Sequence, residues 1–234
     1  MDWSKEFYLK DYSFTLGEIR DLIISVLILS FIFTYALFNS FSILNFLQSF
    51  LIVILAFVGH ELAHKFVSQK FGFQANYSLW LGGVILSIIF WLFSSQGSGL
   101  IFAALGAVNI NLGKPSKLKY KTSITINDIG KISVAGPLAN IFLAILSYMF
   151  LWLNPGFFKL SAEINLILAF FNSLPFPPLD GIKIFVWSYI VDLIMIITPL
   201  ILLFLPGVIG LFLTLLLTVI IIVSLFLFIK MHVG

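Results

Sequence analysis

ILNFLQSFLIVILAFVGHELAHK, residues 43–65, begins as an apolar run and ends in a cluster of ionisable side chains. No charged residue lies between Ile43 and Gly59, and then His60-Glu61-Leu62-Ala63-His64 follows directly. A mostly apolar stretch of roughly 20 residues is long enough to cross the hydrocarbon core of a bilayer. On a helix, His60 and His64 stand one turn apart and face the same way, so both imidazoles can bind one cation. Glu61 follows the first histidine and can reach a water at the metal's open position instead of the metal itself. In water such a helix suggests an ordinary zinc hydrolase. At membrane depth His and Glu lose their hydration, so their presence there is costly and marks a functional site by default. The stretch points to metal-dependent hydrolysis inside the bilayer.

The rest of the chain agrees with a membrane setting. Of 234 residues, 61% are hydrophobic and 10% charged, and 27 are phenylalanine; the mean hydropathy is +1.13. A soluble domain of this size needs far more polar residues. Cysteine is absent, which excludes disulfides, thiolate metal sites and a catalytic thiol. Any metal must therefore be held by His, Asp or Glu. The net charge is +3, and five of the thirteen basic residues lie between Lys114 and Lys131, opposed only by Asp128. Nothing aromatic or Arg-rich accompanies them, so no nucleic-acid partner is expected, and the positive-inside rule accounts for them as a cytosolic loop. The mixed charges of residues 1–21 and the lack of a small-residue cleavage pattern argue against a signal peptide.

Read along its length, the chain is expected to be an all-α polytopic membrane protein and a single domain over 1–234. Residues 1–21 form a polar arm, with an interfacial helix as one reading. The catalytic core covers 44–183, and two C-terminal gating helices cover 184–234. About six transmembrane helices are expected: Leu22–Phe38, Phe46–Val67, Ile132–Leu153, a stretch from Ile164 to Leu174, an apolar stretch after Gly181 to Leu205, and Val208–Ile229. Residues 78–112 form a hairpin, either two short crossings or a helix followed by a re-entrant strand. Non-helical backbone at that depth needs protein or a watered cavity around it, which favours a place beside the site. Lys65 and Lys70 put the end of the second span on the cytosolic side, together with both termini and the site. No internal repeat is evident.

Two imidazoles and a carboxylate suit Zn2+ and leave a fourth position open. Asp180 is the candidate third ligand, because it sits at a proline-rich break (Pro175, Pro177, Pro178) at the depth expected for His60. It can equally cap the helix that starts at Gly181. Asn172 can tie two helices by a hydrogen bond, and Gly136 and Asn140 read as helix-packing residues. Asp192, an intramembrane acid, receives no role.

His60-Glu61-x-x-His64, taken with Asn172-x-x-Pro175-x-Pro177-Pro178-Leu179-Asp180-Gly181, resembles the site-2 protease family of intramembrane metalloproteases. Ala135-Gly136-Pro137-Leu138-Ala139-Asn140 and Leu81-Gly82-Gly83-Val84 resemble the same family. The resemblance covers about 44–183 and is to short archaeal or bacterial members without a soluble regulatory domain. It implies a zinc metalloendopeptidase with His60, His64 and Asp180 as ligands, Glu61 as base and Asn172 near the reacting carbonyl. It also implies a transmembrane-helix protein as substrate, cut in the lipid bilayer of the cell membrane near its cytosolic face. Three rivals stand beside it. A metal carrier or transporter predicts further carboxylates along a pathway. An aspartyl protease using Asp180 and Asp192 leaves the histidines unexplained. An inactive scaffold of the same fold leaves Glu61 without a purpose.

Overall fold

The computed structural model describes residues 3–9, 12–93, 105–115, 121, 123–204, 216, 219–220 and 222–224, with side chains at all of these except 93 and 111–115. The chain opens with a β-hairpin, β1 (Glu6–Leu9) against β2 (Tyr12–Thr15), antiparallel with Glu6 opposite Thr15. This departs from the expected all-α class and from an interfacial helix in the polar arm. The strands carry Phe7, Tyr8, Tyr12 and Phe14, aromatic residues that suit a pleated surface. Helix α1 then spans Leu16–Phe38, earlier than the expected Leu22. Thr15 caps it by accepting the Glu18 N–H at 3.1 Å, and Asn39 ends it in the left-handed region at φ 52°.

Helices α2 (Ile43–Val53) and α3 (Gly59–Lys70) are joined by a π-turn over Ile54–Val58. Together they run 28 residues, about 40 Å at 1.5 Å per residue. Strand β3 (Phe73–Leu79) follows, then α4 (Leu81–Phe93) and β4 (Gly106–Pro115). β3 and β4 pair antiparallel, Tyr77 opposite Val108 and Leu79 opposite Gly106. Among the described residues of 78–112, helix α4 is thus followed by strand β4, whose partner β3 begins at Phe73. Helix α5 (Ile126–Met149) starts at a capping box between Thr125 and Asp128. α6 (Pro155–Asn172) is capped by Asn154, and α7 (Asp180–Trp187) and α8 (Tyr189–Leu203) follow.

Among the described residues, three helices are long and apolar enough to cross a membrane: Leu16–Phe38, Ile43–Lys70 and Ile126–Met149. That is fewer than the six expected. Apolar α4 and α8 reach only about 20 Å each, short of the roughly 30 Å hydrocarbon core. α6 carries Lys159 and Glu163 in its first half. Ser188, in extended backbone, splits the stretch after Gly181 into α7 and α8. Of the span expected at 208–229, only 216, 219–220 and 222–224 are described, all helical, and the rest of the expected C-terminal gate beyond Phe204 lies outside the described residues.

Two apolar clusters hold these elements. One packs Ile141, Ala144, Leu166, Ile184 and Met195 between α5, α6, α7 and α8. The other packs Leu29, Ile52, Ala56, Phe57, Tyr77 and Ile164 where α1 and the π-turn meet β3 and α6. A polar clamp then fixes β3 against α1 and α3. The Lys65 ammonium, fully buried, donates to Glu18 Oε2 at 2.8 Å, to the Ala75 carbonyl at 2.6 Å and to Asn76 Oδ1 at 3.3 Å. Glu18 Oε1 accepts the Tyr77 N–H and Asp21 Oδ2 accepts the Leu79 N–H, both at 3.1 Å. Side chains of α1 and α3 thus occupy the β3 edge that β4 does not. Lys65 is therefore no solvent-facing marker of the cytosolic side, and among the two lysines only Lys70 is exposed.

Candidate metal centre

Helix α3 presents His60 and His64 on one face, as a one-turn spacing requires. Their Nε2 atoms lie 3.0 Å apart, and Asp180 Oδ2 lies 3.3 Å from His60 Nε2 and 2.7 Å from His64 Nε2. The candidate ligand atoms all fall within 4.8 Å of one another. Three residues separated by up to 120 positions thus aim their donors at one point.

Asp180 arrives there by way of the loop after α6. Pro175, Pro177 and Pro178 interrupt the helical ladder, and the Leu179 N–H turns back to the Phe176 carbonyl at 2.8 Å. Gly181 lets α7 approach this loop, because a Cβ there would run into the Ser173 and Leu174 carbonyls. Asp180 is the first residue of α7 and makes no capping bond, so the capping alternative falls away. Its Oδ1 accepts from Lys183 Nζ at 3.0 Å, which leaves Oδ2 for the histidines.

Behind the metal face, His64 Nδ1 donates to the Ile132 carbonyl at 2.7 Å. That carbonyl can only accept, so Nδ1 carries a proton and Nε2 is the ring nitrogen left for a metal. His60 Nδ1 meets Asn140 Oδ1 at 2.6 Å. Metal-ligating histidines are held from behind in this manner. Gly136 on α5 completes the cradle. A Cβ there would collide with His64 Nε2 and come within 2.6 Å of His60 Nε2. Gly136 and Asn140, expected to pack helices, therefore stand directly against the two histidines. Two imidazoles, one carboxylate, fixed outer partners and no thiolate suit zinc. His60, His64 and Asp180 are the residues that would hold it.

Glu61 turns its carboxyl into the same region. Its Oε2 is buried with no hydrogen-bond partner among the described residues, an expensive state for a group with no task. The site opens on a cleft of about 600 Å3 lined by the histidines, Glu61, Asp180, Lys183, Asn172 and β4 residues 106–110. Asn172 reaches the cleft from the end of α6, with Nδ2 donating to the Leu168 carbonyl at 3.0 Å, so its oxygen takes no part in that bond. Asp192 does not line this cleft; it lies on α8 with Oδ1 buried and unpaired among the described residues. An aspartyl pair of Asp180 and Asp192 finds no support in that arrangement. Sequence reasoning missed Lys183 and the outer role of Asn140. The three-residue spacing of Lys183 from Asp180 was the available sign for the first.

A protein of Methanocaldococcus jannaschii, named "Putative zinc metalloprotease MJ0611", is 39% identical over 183 residues, which cover 76% of this chain and 87% of the relative. A Bacillus subtilis protein, named "Putative zinc metalloprotease YwhC", is 28% identical over 180 residues, covering 63% of this chain and 79% of that relative. No family model and no solved structure matches the chain.

Proposed function

The chain belongs to a family of zinc metalloproteases, and from that premise we propose that it is an intramembrane endopeptidase of the site-2 type. One observation carries the reading: the metal-binding constellation is built on a helix, Ile43–Lys70, that is itself apolar and long enough to span a bilayer. The substrate is a transmembrane helix of another membrane protein, cut near the cytosolic face. The enzyme resides in the cell membrane as a multi-pass protein, with both termini and the site on the cytosolic side. The basic segment Lys114–Lys131 and Lys70 support that orientation.

His60, His64 and Asp180 would hold zinc, and the bound ion would supply a Lewis acid able to polarise a scissile carbonyl and lower the pKa of water. Glu61, which lines the cleft and whose Oε2 has no partner among the described residues, takes a proton from the attacking water and delivers it to the leaving amine. Asn172 donates to the oxygen on which charge develops, after its amide leaves the Leu168 carbonyl. A helical substrate hides its carbonyls in its own hydrogen bonds and must unwind first. The unwound segment pairs with the outer edge of β4, since the far edge of β3 is occupied by Glu18, Asp21 and Lys65. Motion of the C-terminal helices admits it from the bilayer.

The test is cleavage of a transmembrane-helix substrate by purified protein in detergent, with Glu61→Gln as the variant. Glu61→Gln should retain zinc and lose turnover by a factor of about 100 or more. Turnover equal to that of the unaltered protein would remove Glu61 from the mechanism. Failure of the unaltered, zinc-loaded protein to cut any membrane-embedded helix, while cutting soluble peptides, would remove the intramembrane assignment.

A further inference from the structure

Behind α3, on the side away from the cleft, lies a row of buried amides that the reaction does not touch. Asn140 on α5 and Asn165 on α6 are both fully buried. We infer that Asn140, anchored by Asn165, is a positioning residue that holds His60 with its proton on Nδ1 and so aims the Nε2 lone pair at the metal position.

The hydrogen bonds force this polarity. A main-chain carbonyl can only accept. Asn165 Nδ2 lies 2.8 Å from the Ser161 carbonyl, so the nitrogen must be there and Oδ1 must face Asn140. Asn140 Nδ2 then donates one hydrogen to Asn165 Oδ1 at 2.9 Å and the other to the Ala56 carbonyl at 2.8 Å. Turning the Asn140 amide over would set an oxygen against two oxygens. Its Oδ1 is therefore left for His60 Nδ1 at 2.6 Å and has no hydrogen to offer, so the proton belongs to the imidazole. The tautomer of a ligand on α3 is in this way dictated by carbonyls on α6 and in the π-turn.

The π-turn has a part in this. Ala56 lies within Ile54–Val58, where the ladder slips and the Gly59 N–H reaches both Ala56 and Ile54 carbonyls. Such turns gather at functional sites. Here the slipped segment offers the Ala56 carbonyl to Asn140 one turn before His60 itself. His64 is set differently, by the Ile132 carbonyl alone. A main-chain acceptor cannot be removed by side-chain substitution, so His60 is the ligand whose orientation a single side chain controls.

Zinc affinity, measured on purified protein by competition with a chromophoric chelator, tests this without recourse to catalysis. Asn140→Leu should weaken zinc binding by about 10- to 100-fold. Asn140→Asp keeps an oxygen for His60 Nδ1, its second oxygen taking a proton to meet Asn165 Oδ1 or the Ala56 carbonyl, and should bind zinc about tenfold more tightly than the leucine variant. The cobalt-substituted protein should show a shifted visible absorption in Asn140→Leu, since a histidine displaced from the metal changes its coordination. Metal-free thermal unfolding checks the fold of each variant. Asn165→Leu leaves Asn140 in place and keeps the test open where Asn140→Leu does not fold; it should weaken zinc by about three- to tenfold. Folded Asn140→Leu protein with unchanged zinc affinity, equal affinities for the Leu and Asp variants, or an Asn165→Leu variant indistinguishable from the unaltered protein would each overturn the inference.

Discussion

Lys65→Met should destabilise the protein by about 3–5 kcal/mol, because it leaves Glu18 charged and buried without its cation. The pair is 2.8 Å apart with side chains 0% and 1% exposed, so water cannot replace the lost partner. The Ala75 carbonyl loses its shortest bond but keeps a donor in Gln69 Nε2 at 3.3 Å, and Glu18 keeps the Tyr77 N–H at 3.1 Å. Most of the loss therefore comes from the uncompensated carboxylate and not from broken main-chain contacts. Glu18→Gln preserves shape and should cost a similar amount by stranding the ammonium. The double variant Lys65→Met/Glu18→Gln buries no charge, so its loss should fall below the sum of the singles by at least about 2 kcal/mol. Reversible unfolding in mixed micelles, followed by tryptophan fluorescence, measures all three. In a thermal scan each single should lower Tm by on the order of 10 °C. Strictly additive losses, or singles within about 0.5 kcal/mol of the unaltered protein, would refute a charge-paired clamp between α1, α3 and β3.

Two further outcomes follow from the metal centre. Gly136→Ala would ordinarily stabilise a helix by about 0.5–1 kcal/mol; here the new methyl would stand 2.6 Å from His60 Nε2. Zinc content by elemental analysis should fall sharply while Tm of the metal-free protein holds or rises, and an unchanged stoichiometry would contradict the close approach of α5 to the histidines. Asp180→Ala should weaken zinc binding by about 100-fold or more, through loss of one of three protein ligands. Full zinc occupancy after dialysis against a chelator would take Asp180 out of the ligand set.

The histidine pair was legible because its geometry is local: on any helix, positions 60 and 64 share a face. Asp180 was legible only as a candidate, by its depth and by the prolines that break the ladder ahead of it. Lys65 was misread. Its place at the end of an apolar run looked like a cytosolic marker, whereas its partner Glu18 lies 47 residues earlier and draws it inside. The strand at Phe73–Leu79 was not foreseen, because its pairing partner begins only at Gly106. The apolar stretch after Gly181 was read as one span, because composition does not register that Ser188 breaks it into α7 and α8.

Composition and one-turn spacing, then, suffice for a membrane setting, a two-histidine metal face and an adjacent acid, since these depend on residues within a single helix. Which carbonyl stands behind each histidine, how Asp180 Oδ2 and not Oδ1 meets them, and which sheet edge stays open depend on how α5, α6 and α7 are rotated and seated against α3. Those rotations are set by packing among residues 60 to 120 positions apart, such as Asn140, Ile132 and Asp180 around His60 and His64. No local periodicity carries that information, because a helix offers the same spacing whichever face its neighbours bury.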